Sequence, residues 1–386
     1  MKTGIIGAGS MGTGIAQLAA FHGHKVVILD RSPEAIQRSK NSLLKILNRM
    51  AEKGKISDAD AKAIFGRIHF VEKIASFSDC ELVIEAIIED EGIKKDLFRE
   101  LETVVSDKCI LATNTSSLSV SSLASACKNP GRFIGLHFFN PPFLMKLVEV
   151  IPALQTDEEV TKTSTSWIEG MGHMPVKAKD TPGFIVNRIA RPFYGEALRI
   201  LDEGLADAAT IDWAMTEIGG FRMGPFTLMD YIGNDVNFTV TETVYNAFFQ
   251  DPRYKPSFTQ QRLALAGFLG RKSGRGYYDY RDGAQNPEPD KNREKGEYIF
   301  NRILTMLINE AADALHFNVA NRDDIDTAMK YGVNYPKGLL KWADEIGIAT
   351  CVKNMDELTD LYREDRYRCS PLLRNMTTEN KTFYGD

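Results

Sequence analysis

The chain has 386 residues, 43% of them hydrophobic and 26% charged, ordinary proportions for a folded globular protein with length enough for two or three domains. Lysine and arginine number 47 against 52 aspartates and glutamates, a formal net charge of −5, so there is no basic footprint for nucleic acid. No apolar run reaches the roughly 18–20 residues of a membrane span, and the N-terminus lacks the apolar core of a signal peptide. The five cysteines form no CxxC pair, which points to reduced thiols and a cytoplasmic protein, with neither a disulfide framework nor a metal site.

In chain order, Gly4-Ile5-Ile6 predicts a short strand, and Gly7-Ala8-Gly9-Ser10-Met11-Gly12 follows it directly. Ile15, Leu18 and Ala19 then recur at helical spacing, Gly23 stops the helix, and Val26–Leu29 gives a second strand ending at Asp30. The next plausible strand begins near Ile68. The intervening segment accommodates two helices, about Pro33–Glu52 and Asp58–Phe65, the second opened by a capping box of Ser57 and Asp60. It reads as a helical hairpin projecting from a sheet. Further apolar runs at Leu82–Ile87, Cys109–Ala112, Phe133–Phe138 and Leu147–Ile151 alternate with helices over about Glu89–Val105 and Val120–Cys127. Alternating strands and helices predict a parallel sheet covered on both faces.

From Thr181-Pro182-Gly183, a helix-start signature, strand signals largely cease. The helical part repeats itself. One ungapped register aligns Asn187-Arg188-Ile189 with Asn301-Arg302-Ile303, Glu196-Ala197 with Glu310-Ala311, and Ile211-Asp212 with Ile325-Asp326. It continues through Ala214-Met215 on Ala328-Met329, Gly224 on Gly338, Asp230 on Asp344 and Ile232-Gly233 on Ile346-Gly347. The second helical block is a duplicate of the first. The fold class is therefore α/β: an N-terminal Rossmann-type doubly wound sheet (1–180), then two related all-α domains (181–282 and 297–386), joined by a polar linker at 283–296. The tail after Ser370 carries no legible motif.

Three clusters carry chemistry. Gly7, Gly9 and Gly12 form GxGxxG between a strand and a helix: the first allows a tight turn, the second backbone approach to a pyrophosphate, the third close helix–strand packing. Asp30 is placed to accept ribose hydroxyls and to repel a 2′-phosphate, favouring NAD over NADP, with Arg31 weakening that preference slightly. His137 ends an apolar strand, where crevices of open α/β sheets lie. Glu149 lies on the next strand, and the Pro141-Pro142 turn can return it beside the imidazole, fixing the tautomer and leaving the other nitrogen as a base. Asn114-Thr-Ser116-Ser follows another apolar strand and reads either as a crevice-facing polar cluster or as the cap of a helix from Ser119. In Asp180–Arg188, Asn187 is a polar amide on a mostly apolar face; its mate Asn301 has no Thr-Pro-Gly before it, so the second copy keeps the packing and not the site. Arg38, Lys45 and Arg49 share one face of the helical hairpin, as a solvated surface or as a dock for a phosphorylated substrate handle.

Together these motifs resemble the 3-hydroxyacyl-CoA dehydrogenases. The resemblance rests on Gly7–Gly12, Asn114–Leu118, His137–Pro141, Met145–Val150, Asp180–Arg188, Gly224-Pro-Phe and Lys272-Ser-Gly-x-Gly-Tyr277, and covers nearly the whole chain. About 1–280 looks like a complete single-copy enzyme, and residues from 297 like the second C-terminal domain of tandem members. It implies NAD-dependent, reversible oxidation of (S)-3-hydroxyacyl-CoA, with a catalytic His137–Glu149 pair and with Ser116 and Asn187 on the substrate oxygen. It also implies cofactor contacts from Asp30, Glu89, Lys94, Asn140 and Lys272. Arg38, Lys45 and Arg49 are the candidate contacts for the CoA handle. The partners expected are an acyl-CoA and a second copy of the chain, the extra helical domain standing in for part of a dimer interface; no nucleic acid, membrane or metal is expected. Pro142-Phe143 departs from the small or branched residues usual there, which would reshape the substrate wall. A dehydrogenase of a small non-CoA hydroxy acid could use the same His–Glu pair, and a non-catalytic binding protein could keep the same fold.

Overall fold

Residues 1–385 are described in the computed structural model, and they divide into a compact unit of Met1–Thr181 and a second from Pro182 onward. The first unit runs β1 (Lys2–Ile6), α1 (Ser10–Phe21), β2 (Lys25–Leu29), α2 (Pro33–Glu52), α3 (Asp58–Gly66), β3 (Ile68–Val71), β4 (Leu82–Glu85) and α4 (Glu91–Glu102). It continues through β5 (Ile110–Thr113), α5 (Val120–Ala124), β6 (Phe133–Phe138), β7 (Leu147–Pro152), α6 (Glu158–Gly170) and β8 (Met174–Lys177). All eight strands lie in one sheet of order β3-β2-β1-β4-β5-β6-β7-β8. The chain leaves β1 toward β2 and β3, then returns to the other side of β1 at β4, so the winding direction reverses between β1 and β4. A crevice opens at the carboxyl ends of the strands at such a reversal.

The hairpin of α2 and α3 forms where Ser32 and Ser57 cap it: Ser32 Oγ accepts the Ala35 N–H at 3.1 Å, and Ser57 and Asp60 complete the reciprocal box. The α2 helix turns Ala35, Ser39, Leu43 and Leu47 inward and leaves Arg38, Lys45 and Arg49 exposed. Two features differ from the all-parallel expectation. The β6 and β7 strands are antiparallel, because the turn at Pro141-Pro142 returns the chain directly without a crossover. And β8 extends the sheet beside β7, a strand of Met-Pro-Val-Lys too short and too polar to be read from alternation.

The second unit contains α7 (Val186–Ile189), α8 (Arg191–Asp202), α9 (Ala208–Trp213), α10 (Pro225–Ile232), α11 (Asn234–Ala247) and α12 (Phe258–Leu265). The repeat follows as α13 (Arg293–His316), α14 (Arg322–Gly332), α15 (Leu339–Ile346), α16 (Ile348–Tyr362) and α17 (Pro371–Glu379). The two copies meet reciprocally. Arg188 reaches Glu310 at 2.6 Å, and their repeat mates Arg302 and Glu196 meet at 2.7 Å. Arg253 and Tyr254 donate to Glu310 at 2.9 and 2.5 Å, while Arg366 and Tyr367 donate to Glu196 at 3.1 and 2.8 Å. A contact in which i meets j and j meets i belongs to a two-fold interface, here built within one chain. All eight groups are buried. Residues from Pro182 onward thus form one compact unit, with most of α13 from Ile299 to Ala314 in its interior.

The same duplication explains the tail. Asp230 accepts the N–H groups of Tyr277 and Tyr278 at 3.0 and 2.9 Å, and Asp344 accepts those of Phe383 and Tyr384, both at 2.8 Å. Phe383-Tyr384 therefore closes the second copy as Tyr277-Tyr278 closes the first. Asp212 and Asp326 cap α10 and α15 through two backbone N–H groups each. A Cβ on Gly224 or Gly338 would fall 2.3 Å from those carboxylates, which accounts for glycine in both copies.

Candidate active site

The glycine loop fits a dinucleotide. Gly7 has φ +108°, and a Cβ there would lie 2.3 Å from the Ala86 carbonyl oxygen across the switch point. On Gly12 a Cβ would lie 1.9 Å from the Gly7 carbonyl oxygen, so α1 can pack this close to β1 only as glycine. Nothing lies within 4 Å of the position a Gly9 Cβ would take, and no side chain caps α1. Uncapped helix N–H groups beside open backbone make a site for a phosphate anion. Asp30, at the end of β2, accepts the N–H of Ala8 at 2.7 Å and of Ser32 at 2.9 Å, which holds its carboxylate at the rim of the loop. Adjoining it is a cavity of about 310 Å³ bounded by the loop, α1, α2 and the Pro141–Phe143 turn, with Arg38 on its α2 side.

His137 and Glu149 are directly opposite in the β6–β7 register. Glu149 Oε2 lies 2.6 Å from His137 Nδ1, with His137 6% exposed and Glu149 fully buried. A carboxylate at Nδ1 keeps the proton on that nitrogen and directs the basicity to Nε2. The Phe139 ring lies 4.6 Å from the imidazole, and Asn114 Oδ1 accepts the Phe138 N–H at 2.9 Å, fixing the end of β6. Asn114 thus ties two strand ends together, and the cap of α5 is Ser119, aided by Asp180, which accepts the N–H groups of Val120 and Ser121.

Ser116 sits on a loop organised by Glu89, which accepts the Ser116 N–H at 3.0 Å and the hydroxyls of Thr115 and Ser117 at 2.6 and 3.0 Å. Behind Glu89 is Lys94, fully buried, with Nζ 3.1 Å from Glu89 and 2.5 Å from the buried Glu85. Burial alone would push the Glu89 carboxyl up; the Lys94 charge and these hydrogen bonds outweigh it and hold it below its ordinary range. Glu85 was not anticipated, although a glutamate closing the apolar run Leu82-Val-Ile is a signal that a cation stands nearby. Asn140 is exposed and accepts from Ser10 Oγ at 3.3 Å, placing it at the start of α1. Pro142 packs on Gly14, where a Cβ would come within 2.7 Å of its ring, and Phe143 meets Phe21 edge-on at 5.1 Å. The unusual pair therefore builds a wall of the cavity beside α1.

In the second unit, Gly183 and Phe184 both have positive φ, +72° and +47°, and a Gly183 Cβ would lie 2.8 Å from the Arg188 nitrogen. This turn starts α7, on which Asn187 is half-buried. Lys272 pairs with Asp235 at 2.6 Å. The mate of Asn187, Asn301, is on the exposed face of the unbroken α13. Three residues separate Glu379 from Phe383, so the second copy has no counterpart of the segment between Leu265 and Tyr277 that carries Lys272.

Residues 2–181 match the family model described as the NAD binding domain of 3-hydroxyacyl-CoA dehydrogenase, and 183–280 with 298–383 match that of its C-terminal domain, twice over. The chain is 37% identical to the 3-hydroxyadipyl-CoA dehydrogenase of Escherichia coli strain K12, covering 96% of both chains. It is 44% identical to a probable 3-hydroxybutyryl-CoA dehydrogenase of Deinococcus radiodurans, over 72% of this chain and 100% of that one. A crystal structure of 3-hydroxybutyryl-CoA dehydrogenase from Escherichia coli K12 superposes with a TM-score of 0.93 at 35% identity, covering 98% of each chain.

Proposed function

This chain belongs to the 3-hydroxyacyl-CoA dehydrogenases, NAD-dependent oxidoreductases, and we propose that in it the His137–Glu149 pair moves the proton of the reaction. Bound NAD supplies the acceptor for the hydride that leaves C3 of the substrate. Gly7, Gly9, Gly12 and Asp30 would hold its adenosine diphosphate part, and Asn140, with Glu89 positioned by Lys94, would lie toward its reactive end. As the hydride leaves, His137 Nε2 takes the 3-hydroxyl proton, and Glu149 stabilises the imidazolium. Ser116 and Asn187 hydrogen-bond the oxygen. For Asn187 and Lys272 the support is the motif in which each stands. The exposed row of Arg38, Lys45 and Arg49 would take the phosphates of the CoA handle, Arg38 bordering the cavity beside the glycine loop. The relatives bear the names 3-hydroxyadipyl-CoA and 3-hydroxybutyryl-CoA dehydrogenase, which supports a short acyl chain. Five free, buried cysteines support a cytoplasmic enzyme, and the internal two-fold supports a second helical copy that stands in for part of a dimer interface.

The observation that carries this reading is the buried 2.6 Å contact of His137 with Glu149 at the carboxyl end of β6. Replacing His137 by Gln keeps a polar side chain and removes the base. It should lower kcat for acetoacetyl-CoA reduction by about 10²–10⁴-fold while NADH still binds, measured by absorbance at 340 nm and by NADH fluorescence titration. Unchanged turnover would remove His137 from the reaction.

A further inference from the structure

Six arginines are buried among the described residues: Arg132, Arg188, Arg191, Arg253, Arg302 and Arg366. Five of them face a carboxylate within 3.4 Å. Arg191 faces none. Its Nε donates to the Asn187 carbonyl oxygen at 3.0 Å and its Nη1 to Thr241 Oγ1 at 3.2 Å, and the guanidinium lies 4.9 Å from the centre of the Tyr194 ring. Nη2 donates to no protein acceptor among the described residues. Burial draws this guanidinium below its ordinary range, and no carboxylate among the described residues opposes that. The Tyr335 hydroxyl is itself buried and unpartnered. A buried cation without an anion is costly, and the unpartnered Tyr335 hydroxyl adds to that cost.

The internal repeat says what kind of residue this is. The four arginines of the two-fold core recur as pairs, Arg188 with Arg302 and Arg253 with Arg366. Arg191 does not recur: its mate is Thr305, whose hydroxyl accepts from Asn354 at 3.3 Å. A framework residue would be expected in both copies. Arg191 occurs only in the copy that carries Asn187, one helical turn away, with its side chain folded back over that turn.

We propose that Arg191, with Tyr335 as a second donor, recognises a carboxylate at the far end of the acyl chain, so that the substrate is a short dicarboxylic 3-hydroxyacyl-CoA. The proposal rests on the reading of Asn187 as a contact of the substrate's 3-oxygen. Four residues along a helix advance about 6 Å, a span comparable with the reach from the 3-oxygen across the two or three carbons that separate C3 from a terminal carboxylate in a six- or seven-carbon diacid. A planar guanidinium offers that carboxylate two parallel N–H donors.

The test is a ratio. Reduction of 3-oxoadipyl-CoA is compared with that of 3-oxohexanoyl-CoA, of equal length without the carboxylate, by kcat/KM with NADH. The wild type should prefer the dicarboxylic ester by roughly 100-fold, the scale of a buried charged hydrogen bond. Arg191→Met should bring the ratio close to one. Arg191→Lys, which keeps the charge and loses the fork, should retain part of it, and so answers the question if the methionine variant does not fold. Tyr335→Phe should lower the ratio several-fold. Calorimetric binding of the two esters to the His137→Gln enzyme should show the same preference without turnover. A wild type that favours the monocarboxylic ester, or an Arg191→Lys ratio equal to the wild type's, would overturn the proposal. Failure of the dehydrogenase reading would show differently, as binding preference intact and no turnover of either ester.

Discussion

Between Pro182 and Tyr280 the chain builds an arrangement that it builds again between Arg293 and Gly385, yet the two differ in what they keep. Both keep the arginine, glutamate and tyrosine groups that meet across the two-fold, both keep the capping aspartates with the glycines above them, and both close with an aromatic pair on an aspartate. The first copy alone has the Gly183-Phe184 turn, a break at Ala190 between α7 and α8, Arg191, and the segment carrying Lys272. The second replaces the turn and the break by the continuous α13. What recurs is needed for the interface; what does not recur is free of that duty and is where activity is to be sought.

The largest expected effect would test the equivalence itself. Glu196→Ala leaves Arg366 with no carboxylate and Arg302 with Glu203 alone, and Glu310→Ala leaves Arg188 with none and Arg253 with Asp313 alone, each a loss of about 3–5 kcal/mol. Because the two sites are built from the same groups, the losses should agree within about 1 kcal/mol, measured by urea unfolding. A wide gap would mean that the reciprocal contacts are unequal in weight despite their likeness.

Next is the contrast between Asn187 and Asn301. Asn187→Ala removes a proposed donor to the substrate oxygen and should lower kcat by about 10²-fold or more. Asn301→Ala changes an exposed helical position and should leave kcat within two-fold and stability within about 0.5 kcal/mol. If both variants lost activity alike, the division between a functional and a structural copy would fall.

Much of this was legible in the residues. GxGxxG between a strand and a helix, an aspartate closing the next strand, and a histidine and glutamate flanking Pro141-Pro142 are local patterns with local causes, and the repeat was visible because its interface groups kept their identity. Less legible were features set by tertiary partners. The Met174–Lys177 strand gains its form from the edge of β7, not from its own alternation. Lys94 looks like any helix lysine until Glu85 and Glu89 close on it. The Phe383-Tyr384 closure follows a segment shorter than the one before Tyr277, so the ungapped register runs out before reaching it. Arg191 was passed over because the want of a facing carboxylate is a property of three dimensions.

The smallest effect concerns acid. Burial would push the carboxyls of Glu196 and Glu310 up, but Arg366 and Arg302 around the first, and Arg188 and Arg253 around the second, outweigh it and hold both below the ordinary 4.5. In the unfolded chain each glutamate returns to that ordinary value and takes up a proton more readily than in the folded protein. Folding stability from these groups is therefore complete above about pH 4.5 and is lost as the pH falls through their depressed folded values. Urea midpoints should fall steadily from pH 5 toward pH 3, with net proton uptake on unfolding in that range. Glu196→Gln and Glu310→Gln should each flatten the slope by a similar amount, since neither amide titrates. A slope that survived one substitution and vanished with the other would place the acid response in a single copy, and the likeness of the two would then be one of shape and not of charge.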